Sequence, residues 1–222
     1  NDYFVGNGWK FRPRWYTQMG ASLKHYPFNP PIPGSAADNT QRVDNPAYLC
    51  LEKPEMDNGR NYAFGYNFQF LGNSRFKTGT SQYINWPVKI HTVKRLATTV
   101  MFADAMGTAA GKPAAVRVGY DVALQNGGAN VIAIGNHAWS LDPPHLSSVS
   151  DFCDDGNRSP VHRSAPDPRH LRRANVAFCD GRVEAMTLSA LGYVISADGS
   201  VDITGSNEQF SGTGEDILPP TY

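Results

Sequence analysis

Long hydrophobic runs are missing from this sequence: no stretch approaches the roughly 20 apolar residues that cross a bilayer as a helix. Charge is sparse and balanced. Lys+Arg and Asp+Glu each number 20, the formal net charge is zero, and charged residues make up only 18% of the chain. No basic run occurs, and the cluster Arg169, Arg172 and Arg173 is too short to follow a nucleic-acid groove, so no nucleic-acid partner is expected. A neutral surface resists self-association less than a charged one, which suits a protein that assembles. Cysteine is scarce as well. Cys50, Cys153 and Cys179 have no CxxC spacing, which leaves a zinc ribbon or a thioredoxin-like site unsupported. One disulfide with a thiol left over and three buried thiols both fit. The histidines at 25, 91, 137, 145, 162 and 170 are scattered without an HExxH pattern, and no Gly-x-Ser-x-Gly elbow supplies a nucleophile. Nothing here calls for an enzyme or a cofactor.

What is present describes a turn-rich β protein. The 222 residues are 41% hydrophobic and 11% aromatic, with 21 Gly and 16 Pro, enough apolar surface for a core and many breaks between short strands. Tyr16, Met19 and Leu23 fall at helical spacing and predict one short helix between Trp15 and Tyr26. Tyr62, Phe64, Tyr66, Phe68 and Phe70 alternate with other residues and predict a strand with one aromatic face. Thr98 to Ala103 reads as a strand ending at Asp104, and strands are also expected over residues 114–120 and 130–134. Two Asp-Gly pairs predict hairpins with two-residue turns. At Asp180-Gly181 that turn pairs Cys179 with Arg182, Phe178 with Val183 and Val176 with Ala185. Val176, Phe178, Val183 and Ala185 would then share one apolar face. Asp198-Gly199 reads the same way. No helix alternates with these strands, so the expected fold is mainly β: antiparallel sheet with long ordered loops and little helix.

Three features invite a functional reading beside a plain one. Asp151, Asp154, Asp155 and Asn157, with Gly156 among them, gather hard oxygen donors that suit structural calcium, although the spacing is not that of an EF-hand. A solvated acidic turn is the plainer reading. The aromatic series could form a sugar-stacking platform, or simply core or subunit contact. The loop over residues 141–173 carries Leu141, Leu146, Val149, Phe152 and Val161, with Trp139 just before it. Water would not tolerate those groups in a free loop, so part of it, with the tail from Phe210 to Tyr222, is expected to reach a neighbouring subunit.

His170 is followed by nine residues and then Asp180-Gly181, within Arg169-His170-Leu171-Arg172-Arg173-Ala174-Asn175-Val176-Ala177-Phe178-Cys179-Asp180-Gly181. This resembles the C-terminal His-x9-Asp-Gly signature of a bacterial family of type II secretion-like pseudopilins. Asn61-Tyr62-Ala63-Phe64-Gly65-Tyr66-Asn67, the strand ending in Asp104, and the tail Phe210-Ser211-Gly212-Thr213-Gly214-Glu215-Asp216 are similar to other segments of that family in the same order. The likeness covers residues 60–220. The family's N-terminal prepilin helix has no counterpart in the sequence, so the resemblance implies the globular part of such a subunit, spanning 1–222 as one domain. It also implies an exported, self-assembling protein of the cell surface or exterior. Its partners would be copies of itself and other pilin-like subunits. His170, Asn175, Asp180, Gly181 and Asp104 would be structural. A surface carbohydrate-binding module is the alternative, and a secreted hydrolase using His170 with Asp180 a further one.

Overall fold

A computed structural model describes residues 15–28, 42–52, 60–76, 83–124, 127–147 and 162–220. Its fold is mainly antiparallel β with little helix. The central sheet has four strands: β1 (Phe64–Tyr66), β4 (Val100–Asp104), β5 (Ala174–Phe178) and β6 (Val183–Met186), in that spatial order and all antiparallel. A separate ribbon pairs β2 (Gly72–Phe76) with β3 (Tyr83–Pro87). The expected short helix is α1 (Trp15–Leu23); Tyr16 is buried on it, while Leu23 near its end is exposed. No helix among the described residues is long and apolar enough to cross a membrane.

The aromatic alternation does not persist as one strand. After β1 the chain turns at Asn67 into α2 (Phe68–Leu71). Asn67 is wholly buried, and its side-chain amide donates to the carbonyls of Val100 and Phe210, both at 2.9 Å. Those bonds satisfy carbonyls that a continued strand would have left to other partners. The strands expected over 114–120 and 130–134 are replaced by 3-10 turns at Ala114–Val116 and Gly128–Ile132, joined by a lone bridge between Val118 and Ala133.

The Asp180-Gly181 hairpin forms, but one residue out of the expected pairing. Ala177 faces Val183 and Val176 faces Glu184. The turn has three residues, not two: Gly181 N–H donates to Phe178 C=O at 3.0 Å, and Phe178 N–H donates to Arg182 C=O at 2.9 Å. Gly181 sits at φ +90°, the left-handed bulge position that closes a three-residue loop. The second Asp-Gly turn repeats this pattern, with Ser196 N–H donating to Ser200 C=O at 2.8 Å and Gly199 at φ +84°. The slip moves β6 by one side-chain alternation. Ala174, Val176 and Phe178 remain buried, whereas Val183 is 63% exposed. Arg182 takes the place expected of Val183, its guanidinium 4.1 Å from the Phe178 ring centre.

The core gathers Tyr16, Tyr62, Val100, Trp139, Leu141, Val176, Phe178, Leu191, Tyr193 and Phe210. Trp139, Leu141 and Leu146, together with Phe210 of the tail, are therefore covered by this chain itself. Asn207 holds the tail in place: its side chain pairs with both backbone groups of His145 and donates to Ile217 C=O at 2.8 Å. Trp139, Leu141, Leu146 and Phe210 are spent on this chain's own core, while Ile217 and Leu218 of the tail stay exposed. Val149, Phe152 and Val161 lie outside the described residues.

Both pairings bury Val176 of β5 but make opposite forecasts for Val183 of β6. Val176→Ala should cost about 2 kcal/mol by leaving a cavity, while Val183→Thr should change stability by less than about 0.5 kcal/mol. Urea melts of both variants check this, and equal losses would restore the two-residue turn.

Candidate functional site

Asp104, His170 and Asn175 come together at one end of the sheet. Asp104 closes β4, and its carboxylate is 1% exposed. Its Oδ2 accepts the backbone N–H of Asn175 at 2.6 Å and lies 3.3 Å from His170 Nε2. Its Oδ1 lies 3.4 Å from Arg169 Nη2. The backbone carbonyl of Asp104 accepts from Asp167 N–H at 2.9 Å. One residue thus ties β4 to the start of β5 and to the segment that leads into it.

Arg169, which the sequence offers only as part of a short basic cluster, is the second anchor. Its side chain is fully buried, and its Nη2 donates to Ala63 C=O at 2.6 Å and to Ala105 C=O at 3.1 Å. It therefore clamps the chain just before β1 to the chain just after β4. Burial pushes the Asp104 carboxyl above its ordinary value, opposed first by the Arg169 charge and then by the Asn175 N–H and by His170.

His170 owes its position to a tight turn. His170 and Arg173 exchange reciprocal backbone bonds of 3.0 Å around Leu171 and Arg172, which sit at φ +51° and +65°. Left-handed backbone at two successive non-glycine residues costs roughly 1–2 kcal/mol each, and the ring's contact with Asp104 helps to hold it. The nine residues between His170 and Asp180 are now accounted for. They comprise this turn and Arg173, the five-residue strand β5, and Cys179, whose N–H donates to Thr99 C=O at 2.9 Å. The spacing measures one strand laid along β4 from Asp104 to Thr99, with a turn at each end.

The motif's far end is separate. Asp180 Oδ1 accepts Arg182 N–H at 3.0 Å inside its own turn, so the carboxylate facing His170 is Asp104 and not Asp180. A hydrolase built on His170 with Asp180 loses its pair. Asn175 contributes through its backbone, a role its side-chain type does not reveal. Gly181 serves by its backbone conformation alone, because no atom lies within 4 Å of where a Cβ would stand. Asp151, Asp154, Asp155 and Asn157 lie outside the described residues, as does Cys153. Among the described residues no cluster of His, Cys, Asp and Glu could hold a metal ion.

Cys50 and Cys179 carry free, half-buried thiols, which corrects the reading of three buried ones. Cys50 Sγ lies 3.7 Å from His170 Nε2, the same nitrogen that faces Asp104. A relay needs the thiol and the carboxylate on opposite ring nitrogens, so this arrangement is not a Cys-His-Asp triad. Two surface grooves, of about 360 and 250 Å3, are lined by other residues: the first by Arg95, Phe178, Arg182, Glu184 and Glu208, the second by Phe70, Val93 and Leu218 among others. Comparison with family models, curated proteins and solved structures gives no match to this chain.

Two measurements follow from this geometry. Asp104→Asn removes the nearer of the two carboxylates beside the buried Arg169 guanidinium, leaving Asp167 at 3.7 Å, and should destabilise the fold by about 2 kcal/mol, read by thermal or urea unfolding. Burial, and then the neighbouring Asp180, push the Cys179 thiol up to about 11. At pH 8 only about one molecule in a thousand then carries the reactive thiolate. In a Cys50→Ser, Cys153→Ser background, iodoacetamide should label Cys179 far more slowly in the native state than after unfolding; equal rates would contradict the burial.

Proposed function

We propose that this chain is a structural, self-assembling subunit of an extracellular filament, pseudopilus or surface array, related to the pseudopilins its sequence resembles. The observation that carries this reading is where the signature residues are spent. His170, Asp104, Asn175, Asp180 and Gly181 are engaged in turn geometry and strand pairing, and neither groove is lined by any of them. A motif consumed by the fold suits a subunit whose function is its shape. Its partners on this reading are copies of itself and other pilin-like chains, and it needs no cofactor.

The carbohydrate-binding alternative draws less support. Tyr62, Phe68, Phe70 and Trp139 are buried, which removes them from a sugar-stacking surface. Tyr16, Tyr62 and Trp139 instead pack on one another, with ring centres 5.3–5.4 Å apart.

Electron microscopy and sedimentation of the protein from its native source test the proposal. Ordered polymers are expected, and His170→Ala should reduce the assembled fraction in step with its loss of stability. Monomers throughout, or a turnover that disappears with His170, would overturn it.

A further inference from the structure

The central sheet has one side without a described neighbour. At the β1 side, Tyr66 N–H donates to Trp139 C=O at 3.0 Å and Leu141 N–H donates to Tyr66 C=O at 2.8 Å, so that edge is covered. At the β6 side the hairpin dictates which groups face out. Because Phe178 and Arg182 form a hydrogen-bonded pair, alternation makes Val176 and Glu184 the next such pair. Val183 and Ala185 then turn their amides and carbonyls away from β5. Arg173 Nη1 donates to Ala185 C=O at 3.0 Å; the Val183 amide and carbonyl have no partner among the described residues.

The side chains along this edge are self-complementary. Arg182 and Glu184 form an ion pair two residues apart on one face, and the apolar Val183 stands between them on the other, 63% exposed. Natural edges are usually protected by charge, often lysine. Here the two charges have opposite sign and flank a central residue, so an antiparallel copy presents the opposite charge to each.

We propose that β6 pairs with β6 of a second copy of this chain, antiparallel about a two-fold axis at Val183. This rests on the assembly reading and names its contact. Val183 of each copy exchanges both backbone bonds with the other, each Arg182 faces the second copy's Glu184, and the two valines cover one another. The neighbouring alignment, centred on Glu184, would set like charges opposite one another and is disfavoured. The result is an eight-stranded sheet formed from two four-stranded ones. A four-residue edge buries well under the roughly 1,200 Å2 of a stable pair, so the contact is weak alone and gains strength where copies are already held close.

Cross-linking tests this on full-length protein with Cys50, Cys153 and Cys179 changed to Ser. Hydrogen-bonded antiparallel partners lie about 5.5 Å apart at Cα, within disulfide reach. Val183→Cys should therefore yield dimer at least about tenfold faster than Ala185→Cys, whose copies are offset across the axis. In the Val183→Cys background, adding Arg182→Glu or Glu184→Arg should each abolish cross-linking, and mixing those two proteins should restore it as a mixed dimer. Equal cross-linking at 183 and 185, none at 183, or no restoration on mixing would overturn the pairing. If wild-type protein polymerises while Val183→Cys fails to cross-link, the edge contact falls and the assembly reading stands. Cross-linking at 183 by a protein that never polymerises would do the reverse.

Discussion

The sheet depends on a buried carboxylate. Asp104 sits where β4 ends and three chain segments must be brought together: β4 itself, the first residues of β5, and the stretch from Asp167 to His170. A backbone amide, a guanidinium and an imidazole converge on its two oxygens. Burying a carboxylate is unfavourable unless charge and hydrogen bonds compensate, and Arg169 provides that charge while binding two further carbonyls of its own. Arg169 also faces the Asp167 carboxylate at 3.7 Å, so Asp104 is the group on which the most partners converge. Sheet order follows from that convergence.

From that anchor β5 runs antiparallel to β4 and delivers the chain to the Asp180-Gly181 turn. The separation of His170 from Asp180-Gly181 is a length, set by how far β5 must travel beside β4. A spacing of this kind resembles a catalytic signature on paper and is satisfied by strand geometry in space. It also places β6 at the outer edge, where its side chains face outward and its spare backbone groups can meet another chain.

The legible parts of the sequence were those governed by local rules. The α1 pattern, the β-rich segment ending at Asp104 and both Asp-Gly hairpins followed from periodicity and turn chemistry. The pairing of the hairpin did not, because Asp-Gly serves both a two-residue turn and a three-residue loop with a glycine bulge; the choice shifts the face by one residue. Phe68 and Phe70 continue the strand pattern in the sequence, but the chain leaves the strand at the buried Asn67, whose amide bonds distant carbonyls, a tertiary effect with no sequence signal. The roles of Arg169, Asn67 and Asn207 have no sequence signal for the same reason. A buried polar side chain that satisfies distant carbonyls looks, in sequence, like any surface residue. Phe210 likewise read as a group needing a neighbour, since nothing local revealed the space beside Tyr193 that receives it.

Native-state hydrogen exchange along β5 tests the central role of Asp104 most directly, comparing wild type with Asp104→Ala. If the carboxylate anchors the sheet, protection should fall together from Asn175 through Phe178, because the whole strand opens as one unit. Loss confined to the Asn175 amide, with Val176 to Phe178 as protected as before, would mean that β5 is held without Asp104 and would contradict this account.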